Sequence, residues 1–353
     1  MRHILRLTVV AIAFGGATLA AAPAFGANSK VHVVHPGQLI QVAVNAAAPG
    51  DTIQLENGTY TGGILIMKDR LTINGAGPGT VIEPGTGNRC LTFAGETGIC
   101  IIGSPDHRVS RVTISDLTVR NFPDFGVFGF FTDRMGVTGV TAMNNGEYGI
   151  TQFESTRGSF IGNVVTGSTE EAGLYVGDID DAHGTVVADN TSSANALGLL
   201  VRHARNVTVT GNTFVGNCTG LALVDDGQTG GEGDNVVRFN DLHANNVNCP
   251  AAGDVPPLQG TGIVLVGGDH NVITKNQVAG NAGVQAFSGG IVLVPGAPPA
   301  GATEGLPAAF NTVTNNVLSA NSPADLIDAS GSATNTFRHN QCGSSVPAGL
   351  CAS

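Results

Sequence analysis

The stretch VTVTGNTFVGNCTGLAL, residues 207–223, decides the fold. It sets Asn212 and Asn217 five residues apart between short runs of alternating apolar and polar residues, and Gly220 opens the last run. Two amides so close to Val, Phe and Leu side chains must find partners if they are buried. The same spacing returns at Asn190/Asn195, Asn240/Asn245, Asn276/Asn281 and Asn316/Asn321, and with one replacement at Asp116/Asn121, Val140/Asn145 and Asn163/Ser168. Successive first markers lie 24, 23, 27, 22, 28, 36 and 40 residues apart. A period in the low twenties signals a solenoid, with insertions in its last coils.

Around each pair, segments such as Val207–Thr210 and the runs after Gly198, Gly220, Gly262 and Gly290 alternate with period two. They read as strands of three to five residues. Fifty-one glycines would be costly in helices. The sequence therefore predicts an all-β chain, a parallel β-helix of short strands joined by turns. An inward asparagine at a turn can bond its own bend and the amide stacked one coil away, at about 4.8 Å. We read Asn163, Asn190, Asn212, Asn240, Asn276 and Asn316 as such a structural ladder; the competing reading makes them polar ligands for a sugar. Near the start, GQLIQVAVNAAAPGDTIQLENGTYTGGILI (37–66) fits a lid. A short α-helix there would lay Leu39, Ile40, Val42 and Val44 over the first coil, and Pro49-Gly50 would stop it.

The first 26 residues combine Arg2 and Arg6, an uncharged apolar stretch and a small-residue end at Ala24 and Gly26. They read as a signal peptide, too short and too glycine-broken for a membrane span. One β-helix domain is expected over 27–353, with cap and first strands in 27–60 and a tail in 343–353. The formal charge is −11, more negative still without the two leader arginines, and the chain has three lysines. Such a surface repels nucleic acid and anionic lipid and disfavours unassisted polyanionic sugars. Six cysteines in an exported chain without a C-x-x-C pair favour disulfides. The sequence-local pairing is Cys90–Cys100, Cys218–Cys249 and Cys342–Cys351, with free buried thiols as the alternative.

The segment IQVAVNAAAPGDTIQLENGTY, the run GLYVGD and the coils of pattern G-[LI]-x-[LV]-V…N-V-x-[VI]-x-x-N carry a family likeness. Over roughly residues 31–342 the chain resembles the secreted right-handed parallel β-helix proteins of the pectin-lyase-like superfamily. The resemblance implies a right-handed coil and a range of activities: pectate and alginate lyases, polygalacturonases, polyuronate epimerases, and an accessory group of nitrous-oxide reductase. Fold alone does not choose among them. The chain has Asp-Asp at 180 and 225 but lacks the G-H-G and R-I-K of polygalacturonases, and SPDHR (104–108) scrambles the epimerase D-P-H. Scattered histidines and isolated methionines leave a copper role without ligands.

Aligning coils on glycines 126, 149, 173, 198, 220, 262 and 290 makes outward columns legible. The turn column stacks Glu154, Asp178, His203 and Asp225 beside Arg202, Tyr175, Phe128, Phe130 and Phe153. Adjacent rungs about 5 Å apart and alternate rungs about 10 Å apart bracket the carboxylate separations of glycosidases. One reading makes Glu154 or Asp178 the acid, Asp225 or His203 the base, Arg202 the orienting cation and the aromatic rings the sugar platform. A second gives calcium to Asp178, Asp180, Asp181, Asp225 and Asp226, although no calcium-loop pattern is present, and no cofactor is expected otherwise. A third makes them ordinary solvated turn residues. The functional expectation is a secreted, monomeric protein that binds and processes a polysaccharide as lyase, hydrolase or epimerase. Its alternative is a non-catalytic module for cell-envelope glycan or protein, favoured by the absence of Trp and the three Tyr. Glycine-, proline- and alanine-rich loops at 225–234, 246–260, 282–289 and 295–309 are expected to wall one end.

Overall fold

The computed structural model describes residues 29–251, 255–298 and 305–351; the leader expected over 1–26 lies outside them. Among the described residues the chain winds into three long parallel sheets of 12, 10 and 11 strands, with a two-stranded sheet beside them. One coil shows the pattern: Val207–Thr210 joins the first sheet, Thr213–Val215 the second and Thr219–Val224 the third. Coils stack in constant register. Val127, Ile150, Leu174, Leu199, Leu221, Ile263 and Ile291 lie opposite one another in the third sheet, and all are fully buried.

The corners explain the asparagines. At the first corner a residue in the left-handed region, among them Asp189, Gly211, Phe239, Lys275 and Asn315, precedes the ladder position. That bend turns the next amide inward. Asn190 donates both its backbone N–H and its Nδ2 to Asn212 Oδ1 at 2.9 Å, and Asn212 does the same to Asn240 Oδ1. The column runs from Asn163 through Asn276 and Asn316 to Asn340. A second column joins Asn195, Asn217, Asn245, Asn281 and Asn321 and ends on the carboxylate of Asp325. A third, which the five-residue markers did not single out, joins Asn235, Asn271, Asn311 and Asn335 at the remaining corner. Three asparagines five apart thus mark the three corners of one coil, as at 235, 240 and 245.

The glycine that opens each third-sheet strand has a steric cause. A Cβ on Gly173 would stand 2.6 Å from Asn195 Nδ2, and one on Gly290 would stand 2.9 Å from Asn321 Nδ2. The second ladder fills that space.

At the N-terminal end the helix Ile40–Ala46 covers the first coil through Ile40 and Val44, one turn apart. Leu39 and Val42, also expected on that face, are more than half exposed, because the helical period carries them to the far side. All three disulfides join the sequence-local pairs. The end expected as a tail contributes a strand, Ser345–Val346, paired with Leu326–Ile327. Among the described residues no helix is long and apolar enough to cross a membrane.

Candidate functional site

The outer face of the third sheet carries the site. Two of its strands, Ala172–Ile179 and Leu197–Ala204, run eight residues, two longer than the flanking Phe125–Phe130, Tyr148–Phe153 and Thr219–Val224. At their ends Phe131, Glu154, Asp178 and His203 all sit in the left-handed region, with φ between 47° and 53°. A shared bend on successive rungs stacks their side chains about 4.8 Å apart. Glu154, Asp178, Ile179, Asp180, His203, Gln228 and Thr229 line a cleft of about 460 Å³.

Asp225 does not join this column. It does not adopt the left-handed bend that Glu154, Asp178 and His203 share. Asp225 is buried and its carboxylate accepts from Gly227 N at 2.8 Å. The neighbouring Asp226 takes its place. Arg202 donates to both carboxylate oxygens of Asp178, at 3.0 and 3.2 Å, and its Nε lies 3.7 Å from Asp226 Oδ2. His203, 7% exposed at its side chain, stands between Asp180 Oδ1 at 3.2 Å and Asp226 Oδ1 at 3.3 Å, the latter off the line of a good hydrogen bond.

This arrangement separates the titrations. The contact with Asp226, with help from Asp180 and against burial, raises the His203 pKa and favours the imidazolium. Burial tends to raise Asp226, but contacts with His203, Gln228 and Arg202 outweigh it and hold the carboxyl down at about 2. Burial first, and then the charge of Asp178, push Glu154 up against the opposing pull of Arg108.

The aromatic residues form a packed layer, so the open platform expected at Phe128 and Tyr175 is not observed. Tyr175 is fully buried, its ring 4.4 Å from that of Phe153 and 4.9 Å from that of Tyr148. Phe128 is 7% exposed and packs on Phe125, Phe130 and Phe153; of the four rings expected to form the platform, Phe130 and Phe153 keep partly open faces. Arg202 lies over the Tyr175 ring at 5.8 Å. The buried Tyr175 hydroxyl has no well-formed hydrogen bond and projects over Gly177, where an added Cβ would stand 2.3 Å from it. It points at the Asp178–Arg202 pair, whose charges act on it.

A second acidic rim crosses the other end of the same strands. Tyr148 pairs with Ala172, so the preceding Glu147 and Glu171 occupy successive rungs, and Glu147 N donates to Asp124 O at 2.9 Å. Burial, then Glu171, Asp124 and Glu170, push the Glu147 carboxyl up to about 7. The signal was present: Asp124, Glu147 and Glu171 each stand two residues before an aligned glycine. Asp226 and Gln228 gave no such signal, because the insertion that holds them breaks the period.

The five aspartates of the calcium reading do not converge. Asp181 accepts from Asn206 Nδ2 and His183 N, and Asp225 lies beneath the cleft. Among the described residues no group of three or more His, Cys, Asp or Glu side chains is arranged to hold a metal. In the loop at 246–260, expected to wall one end, the described residues Cys249 and Leu258 lie on the outer face instead. Leu258 packs there with Cys218, Ala222, Val264 and Val292.

A family model described as "Right handed beta helix region" matches residues 69–230 and 228–353. No match was found among curated proteins. The fold is similar to the A-module of a mannuronan C-5 epimerase from Azotobacter vinelandii, with TM-score 0.63 and 20% identity over 85% of this chain and 89% of that one. It is also similar to the DFA-IIIase of Arthrobacter chlorophenolicus in complex with GF2, with TM-score 0.59 and 15% identity over 85% and 87% of the two chains. The Dettilon tailspike protein is similar at TM-score 0.57 and 15% identity, over 87% of this chain and 63% of its own.

Proposed function

The chain belongs to the right-handed beta-helix family, and from that premise we propose that it is a secreted protein that binds a polysaccharide along the outer face of its third sheet and cleaves or rearranges it. The observation that carries this reading is the placement of Glu154 and Asp178 on adjacent rungs of one open cleft. A rung spacing of about 5 Å is that of a retaining carboxylate pair. Burial and the charge of Asp178 raise the Glu154 pKa and so favour its protonated form, which suits it to donate to a leaving glycosidic oxygen. Asp178 is then the carboxylate that meets the sugar, and Arg202 orients both. His203, whose cationic form Asp226 and Asp180 favour, stabilises negative charge that develops in the cleft. The mannuronan C-5 epimerase among the similar folds, whose name is that of a polysaccharide-acting enzyme, agrees with a glycan partner, and three disulfides agree with an oxidising compartment.

The test is incubation of the protein with a panel of neutral and acidic polysaccharides, followed by product analysis. New reducing ends indicate hydrolysis, unsaturated ends indicate elimination, and altered stereochemistry without cleavage indicates epimerisation. Glu154→Gln and Asp178→Asn should each lower turnover at least 100-fold while circular dichroism stays unchanged. Full turnover in both variants would remove the assigned roles. The burial of Tyr175 and the absence of Trp favour a second reading, a non-catalytic glycan-binding module. Binding without turnover on every substrate would select it.

A further inference from the structure

We propose that the groove takes an uncharged polysaccharide and rejects polyuronates, and that Asp178 and Asp226 set this selectivity by holding Arg202 as an internal ion pair. The inference rests on the glycan-binding reading and narrows it to a substrate class. Its basis is the balance of charge along the groove. One rim presents the carboxylates of Asp178, Asp180 and Asp226 beside Glu154, and the other presents Asp124 beside Glu147 and Glu171; burial pushes the three glutamates up, so the aspartates supply most of the negative charge.

Two cations between them are already engaged. The guanidinium of Arg202 lies against Asp178 and Asp226 and the imidazole of His203 lies between Asp180 and Asp226, whereas Arg108 donates to the backbone carbonyl of Glu154 and keeps its charge at that end. A polyuronate would bring one negative charge per sugar across two acidic rims in a partly desolvated groove, where like charges repel more strongly than in water. To reach Arg202 it would have to displace a carboxylate that holds the guanidinium with two hydrogen bonds.

Neutral sugars face no such barrier. Their hydroxyls donate to carboxylates, and the open faces of Phe130 and Phe153 take the apolar side of a ring.

The test measures binding of the protein to uncharged polymers (glucan, mannan, xylan, fructan) and to polymannuronate and polygalacturonate, by affinity electrophoresis and calorimetry at low salt, each with chelator or with added calcium. The expected result is binding of at least one uncharged polymer at least tenfold tighter than either polyuronate, unchanged by chelator. In the double variant Asp178→Asn, Asp226→Asn, the freed guanidinium should narrow that preference at least tenfold. If that variant does not fold, Glu147→Gln with Glu171→Gln should narrow it in the same direction. A polyuronate bound more tightly than every neutral polymer would overturn the proposal while leaving the glycan-binding reading intact. So would a polyuronate bound only with calcium. Binding of no glycan at all would overturn that reading, and the proposal with it.

Discussion

Each ladder asparagine works because its amide is satisfied on every side. Asn212 Oδ1 accepts from both the backbone and the side chain of Asn190, while its own Nδ2 donates to Val187 O and Asn240 Oδ1. Asn212→Ala would leave the Asn190 donors without their acceptor in a fully buried corner. We expect a loss of about 2–5 kcal/mol, read from urea denaturation. Asn340→Ala, at the end of the column, removes one carbonyl partner and one stacked neighbour, and should cost less.

Glu232 makes a different prediction. It is fully buried, bonded by Asn235 Nδ2 at 2.6 Å and Asn271 Nδ2 at 3.0 Å, and burial pushes its carboxyl up to about 8 despite those contacts. Its folded pKa stands above its unfolded value. The proton it keeps therefore stabilises the fold fully below pH 4.5, and that contribution is lost as pH rises through about 8. Between pH 5 and 8 the native chain should lose stability by at most about 1.4 kcal/mol per pH unit from this group. Denaturation of Glu232→Gln should show a flatter pH profile, and an unchanged slope would remove the assignment.

At the scale of elements, bends and insertions decide what the outer face can do. Glu154, Asp178 and His203 share a bend through the left-handed region that carries them into the cleft, whereas Asp225, at the start of the inserted loop, does not make that bend. The loop at 246–260 is tied to the face by Cys218–Cys249 and by paired hydrogen bonds between Cys249 and Leu258. Replacing both cysteines by alanine removes a 31-residue closure. A loss of about 3.7 kcal/mol is expected from the chain-entropy estimate. Thermal melts with and without reductant measure it: reductant should lower the native melting temperature more than that of the variant.

For the whole molecule, the solenoid has a sticky end that the cap closes. Ile40 and Val44 lie over a first coil whose Ile53, Leu55, Tyr60 and Ile64 are buried. Deleting residues 31–47 should expose that end and give a protein that sediments as aggregates rather than as a single species. The groove also implies a pH dependence of activity. Glu154 and His203 are both raised, so turnover should fall as the pH rises past the point where each gives up its proton. In Glu154→Gln the remaining activity should keep only the histidine part of that profile.

The repeating asparagines, the period and the alternating strands determined the coil, its register and two of its ladders, because a solenoid turns sequence spacing directly into spatial neighbourhood. Even the third ladder and the second acidic rim stood in the repeat pattern, at fixed offsets from marked residues. Only the tertiary structure decided which carboxylates meet. The insertion after Val224 replaced Asp225 by Asp226, and packing of one ring against the next buried Tyr175 and Phe128. Periodicity specifies where a side chain leaves the backbone. Whether it reaches solvent depends on loops and on neighbouring side chains, which do not repeat.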